Sequence, residues 1–161
     1  MVIFGKSLSE YVEFCWVFLI LIALAGVTRL TLSMSGTPNS TAKWFSMTVL
    51  VFIGALYYAM RVHAAGFGSY KQLLIICILM NVAMQVISIG AILISIQTGR
   101  DNIFSVPEYA FGSDNKWLHV VLHVTVGLTI GALVPWLVGS GVLALTRKIA
   151  PPAVAESRRT P

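Results

Sequence analysis

The sequence predicts an all-α integral membrane protein folded as a four-helix up-down transmembrane bundle. Three observations carry that prediction. First, 57% of the 161 residues are hydrophobic and only 11% are charged, where a soluble domain carries roughly 25% charged residues. A chain of this length cannot bury so many apolar side chains in its own core, so the excess must face lipid. Second, four apolar runs approach or exceed the length of about 20 residues needed to cross roughly 30 Å of hydrocarbon. Third, the runs lack the alternation of barrel strands, and helices satisfy every backbone group locally, as hydrocarbon demands.

The first span covers residues 11–32, "YVEFCWVFLILIALAGVTRLTL". "ALA" at residues 23–25 resembles a signal-peptidase site. Glu10 and Glu13 spoil a positive n-region, and the apolar pattern runs on, so the segment reads as a retained anchor. The second span covers residues 44–62, the third 72–97 and the fourth 117–145. Residues 1–148 form the transmembrane domain, and the proline-rich segment 149–161 reads as a flexible cytoplasmic tail.

Charge sets the expected orientation. Lys6, Lys71, Arg147, Lys148, Arg158 and Arg159, with Arg61 at the edge, fall on the side of the termini; Lys43, Arg100 and Lys116, with Arg29, fall on the other. Seven against four places both termini in the cytoplasm, and a bacterial inner membrane is the expected location. The net charge of +5 reads as anchoring to anionic headgroups and needs no nucleic-acid partner. The longest connection, "TGRDNIFSVPEYAFGSDNK", mixes aromatics (Phe104, Tyr109, Phe111) with acids and reads as lying on the membrane surface or docking on a partner.

Polar residues inside spans need a reason. Glu13 and Arg61 read as an interfacial ion pair or as snorkelling side chains. Asn81 and Gln85, four apart near mid-membrane, read as helix-packing amides, with solute or quinone contact as the functional alternative. Cys15 and Cys77, at matching depth on spans one and three, read as buried thiols. "NST" at residues 39–41 is a sequon only in a secretory-pathway eukaryote.

The fourth span opens with His119 and His123, one turn apart. His63 lies at the far end of span two, so the three histidines cannot share one metal or haem. Stepping by four from His119 gives His123, Gly127, Gly131, Pro135 and Gly139, a ridge of histidine, glycine and proline. Gly127, Gly131 and Gly139 are expected to admit a close helix, Pro135 to kink the lower half, and the ridge to wind, since four residues overshoot a turn by about 40°. In the packing reading a helix fills the groove and the imidazoles bond to carbonyls or loop carboxylates. In the cofactor reading a haem lies on Gly127 with His119 or His123 as axial ligand and Met34 or Met47 opposite. A zinc or copper site built from both histidines and a loop carboxylate is a further alternative.

No hydrolase, zinc-protease or nucleotide-binding motif is present. The leading expectation is a non-catalytic accessory subunit of a larger membrane complex, associated with other subunits or with its own copies. It rests on the glycine ridge, the lack of a central charge and the small chain. The alternatives are a redox protein holding haem or a quinone near His119, His123, Gln85 and Asn81, and a small-solute transporter or channel lined by Asn81 and Gln85.

Overall fold

The structure, a computed structural model, describes residues 1–109, 112 and 114–149. It is a bundle of four helices, each long and apolar enough to span a membrane. The chain opens with an antiparallel hairpin of β1 (Val2–Ile3) and β2 (Lys6–Ser7). Its turn residues Phe4 and Gly5 both have positive φ, 50° and 83°, as a two-residue hairpin turn requires. Ser7 then caps α1 (Leu8–Met34): the Ser7 amide donates to Glu10 Oε2 at 2.7 Å and the Glu10 amide to Ser7 Oγ at 3.3 Å. Glu10 thus fills two of the helix's orphan bonds, a capping box.

A single turn, α2 (Asn39–Ala42), leads to α3 (Met47–Ala64), whose first turn is capped by Ser46 Oγ accepting from Val49 N at 3.3 Å. The third span is α4 (Tyr70–Thr98). It begins where Gln72 Oε1 accepts from the Ser69 amide at 2.7 Å, and it ends at Gly99 in the left-handed region. The fourth span is one continuous run from Lys116 to Ile149. It comprises α5 (Lys116–Leu122), a π-helical turn (His123–Gly127) and α6 (Leu128–Ile149). The helix continues through Pro135, which omits one backbone bond for want of an N–H, and the π turn precedes it.

Neighbouring spans run antiparallel. Phe18 of α1 stacks on Tyr57 of α3 at 5.7 Å, and Trp136 Nε1 of α6 donates to the Tyr70 carbonyl of α4 at 2.9 Å. Helices α3 and α4 are the inner pair, with 39% of each apolar window buried; the first and fourth spans flank them with 17% and 11%. The core between them holds Tyr11, Ile22, Tyr58, Leu73, Ile76, Met80 and Leu143. Cys15 and Cys77 are free thiols buried in the same cluster.

At the ends the structure bears on one branch of two expectations. Glu13 and Arg61 form no ion pair; the guanidinium lies over the Phe14 ring at 4.7 Å, with both residues on the wall of one surface cleft. The long connection does not lie flat along its described first half. Asn102, Ile103, Phe104 and Ser105 are buried in the mouth of the bundle. Asn102 Nδ2 donates to the Ala91 carbonyl at 2.8 Å, and the Ile103 amide to Ser33 Oγ at 2.8 Å. Lys116 pins the loop through Asp101 at 2.7 Å and Ser95 at 2.8 Å. Phe111 and the tail from residue 150 lie outside the described residues.

Candidate functional site

The ridge of the fourth span faces α3 and α4. On an ideal α-helix His119, His123 and Gly127 would drift round the cylinder by about 40° at each step of four. A π turn takes more residues per turn, so the step from His123 to Gly127 falls short of a full rotation and takes the drift back. The π turn therefore keeps histidines and glycines on one side, against α4.

The glycines meet side chains of this same chain. A Cβ placed on Gly131 would stand 2.5 Å from Asn81 Oδ1, and one on Gly127 2.9 Å from Gln85 Nε2. At Gly139 the approach is backbone to backbone, with a Cβ 3.0 Å from the Ala55 carbonyl oxygen. Asn81 and Gln85 therefore occupy the space where a flat cofactor would rest on the glycines.

These amides and imidazoles form one chain of hydrogen bonds. Asn81 Nδ2 donates to the carbonyls of Gly127 and Leu128 at 3.1 and 3.0 Å. Gln85 Nε2 donates to Asn81 Oδ1 at 3.2 Å. His123 Nδ1 meets Gln85 Oε1 at 2.5 Å, and His123 Nε2 meets His119 Nε2 at 3.1 Å. The direction of every link follows from the first. Backbone carbonyls only accept, so the Asn81 amide nitrogen must face them and its oxygen must face Gln85. Gln85 then presents its oxygen to His123, which must carry its proton on Nδ1. With both rings neutral, the bare Nε2 of His123 accepts from His119, which then carries its proton on Nε2. The chain ends on His119 Nδ1, an unprotonated nitrogen.

That nitrogen is buried and has no hydrogen-bond partner among the described residues; His119 as a whole is 4% exposed. His119 stands on the wall between two cavities. The larger, about 530 Å³, lies between α3, α4 and the fourth span, with Thr48, Met84, Gln85, His123 and Ile130 on its walls. The smaller, about 190 Å³, reaches Arg29, Met47 and Phe104 beneath the loop. A third cavity of about 240 Å³ shares Thr48, Met84, Ile130 and Gly131 with the larger and extends past Phe52 to Pro135. Together they form a groove with a polar end at the imidazoles and an apolar length below. Val126 and Ile130 line it and are also exposed on the outside of the bundle, at 48% and 52%.

Among the described residues no three His, Cys, Asp or Glu side chains gather to hold a metal. The imidazoles bond to each other and to an amide rather than to loop carboxylates, since Asp101 is taken by Lys116. Met47 lines the smaller cavity beside both histidines, and Met34 does not. His63 ends α3 at the opposite face of the bundle. Sequence reasoning set His119, His123, Gln85 and Asn81 around one ligand in its redox alternative. It did not foresee that the four side chains bond to one another. It also missed Thr48, Met84 and the π turn.

Fold and site together define a class: a four-span helical bundle with a directional amide–imidazole chain ending in a groove at span depth. No family model, curated protein or solved structure matches the chain.

Proposed function

We propose that this protein is a small integral membrane protein of a bacterial inner membrane, both termini cytoplasmic, that holds a lipid-soluble ligand in the groove below His119. The ligand class is an amphiphile with a polar ring or head and a long apolar tail, as quinones have. One observation carries the reading: His119, whose buried Nδ1 has no hydrogen-bond partner among the described residues, lines a cavity whose apolar continuation runs along the helices. Pockets of this size with few convergent polar groups are the usual form of small-molecule sites. The exposed rim residues let such a ligand enter from the bilayer rather than from water. The seven-to-four distribution of Lys and Arg supports the orientation.

Saturable binding of a short-tailed quinone by the protein in nanodiscs, above the partition into empty nanodiscs, is the expected result; uptake no greater than the blank would refute it. A visible spectrum separates the haem and copper versions. A colourless preparation is expected, because both imidazole Nε2 atoms face each other and amides cover the glycines.

The reading as a non-catalytic subunit of a larger assembly rests on the small chain and on a span region without a central charge. Its third support is weaker, since the ridge is filled from within the chain. Co-purification of a stoichiometric partner in mild detergent would favour it, and a monodisperse monomer would count against it.

A further inference from the structure

We infer that the groove selects hydroxyl-bearing ligands over their carbonyl or ether counterparts, with His119 Nδ1 as the atom that accepts the ligand's hydrogen. The inference rests on the binding reading above and adds the chemistry of the head. Its basis is the forced direction of the hydrogen-bond chain, which begins at the carbonyls of Gly127 and Leu128. Because those atoms accept, the far end must also accept. The fourth-span backbone therefore fixes the polarity of a nitrogen two turns away. His119 lines the larger cavity, and among the residues that line it its Nδ1 is the buried side-chain polar atom without a partner.

A phenol, a hydroquinone or a hydroxylated isoprenoid brings an O–H donor to that lone pair. A quinone carbonyl or an aryl ether brings a second lone pair and leaves the nitrogen unsatisfied, which a buried polar group resists. With both rings neutral, the alternative tautomer, with a proton on His119 Nδ1, would require His123 to donate from Nε2 and accept at Nδ1. That would set Gln85 Oε1 against a bare nitrogen. Flipping Gln85 and then Asn81 to rescue it would turn Asn81 Oδ1 onto two carbonyl oxygens. The direction is thus locked over the whole chain, and not by one rotamer.

The test uses the full chain in nanodiscs and a matched set: a short-tailed hydroquinone under reducing conditions, its dimethyl ether, and the corresponding quinone. The hydroquinone is expected to bind roughly ten-fold tighter than the ether, the value of one hydrogen bond to a buried acceptor. In His119→Phe, which keeps a ring and removes the acceptor, that gap should close. Should the variant not fold, the wild-type ¹⁵N spectrum decides: hydroquinone must shift the His119 Nδ1 signal and the ether must leave it in place. Equal binding of hydroquinone and ether by wild type overturns the selectivity while leaving the binding site standing. No saturable binding of any of the three overturns both.

Discussion

Gln85 of α4 and His123 of the fourth span face each other across the bundle, Oε1 to Nδ1 at 2.5 Å. This contact joins a packing amide to an imidazole and makes the two halves of the site one unit. Through it, the orientation of a side chain at mid-span determines which nitrogen of His119 is bare.

The amide end of the chain should carry measurable stability. Asn81→Leu removes two bonds to carbonyls and leaves Gln85 Nε2 without its acceptor. Membrane hydrogen bonds contribute modestly, so a loss of about 1–3 kcal/mol is expected in reversible unfolding from detergent. A loss within error of zero would mean the chain is not formed.

Glycine positions should separate by what lies opposite them. Gly139→Ala sets a methyl 3.0 Å from the Ala55 carbonyl oxygen, and Gly131→Ala sets one 2.5 Å from an Asn81 held by two bonds. Each should cost about 1–3 kcal/mol, the range of overpacking. Gly90→Ala meets nothing within 4 Å and should be neutral or stabilise by up to about 1 kcal/mol through helix propensity. Unfolding of the three variants side by side checks the order.

Acid should loosen the mouth of the bundle. The hydrogen bond from the Lys116 ammonium, 2.7 Å away, holds the Asp101 carboxyl below its ordinary range. A depressed carboxylate stabilises the fold above its unfolded value, about 4, and that contribution disappears as pH falls through the lower folded value. Fluorescence of Trp117, next to Lys116, should therefore change below about pH 4 in wild type. In Asp101→Asn that acid-dependent step should be absent.

Both thiols should be protected. Cys15 and Cys77 are each 0% exposed, so a maleimide should modify neither in the folded protein and both after denaturation. Rapid labelling of either in native nanodiscs would contradict the packing of α1 on α4.

The four helices were legible because length and apolarity alone decide them: predicted residues 72–97 became Tyr70–Thr98, and 117–145 became Lys116–Ile149. Span two shifted toward its C-terminal end, from residues 44–62 to Met47–Ala64, because Ser46 caps the helix. The polar residues of the site were also legible one by one, since each is conspicuous in an apolar run. Their grouping around one ligand was one alternative, but their direct bonding to one another was not legible. It depends on the height of α4 against the fourth span, which the loop geometry sets. It depends too on a π turn over "HVTVG", whose sequence resembles any other apolar helix. The burial of Asn102–Ser105 was hidden for a related reason: a polar loop carries no periodicity, and its seat in the bundle comes from side-chain bonds to Ala91 and Ser33.

The most direct measurement is the ¹⁵N spectrum of histidine-labelled protein in lipid bilayers at neutral pH, which reports the tautomer of each ring. Protonation of His123 on Nδ1 and of His119 on Nε2, with His119 Nδ1 bare, is the expected result. His119 protonated on Nδ1, or His123 bare at Nδ1, would contradict the direction of the chain and with it the site.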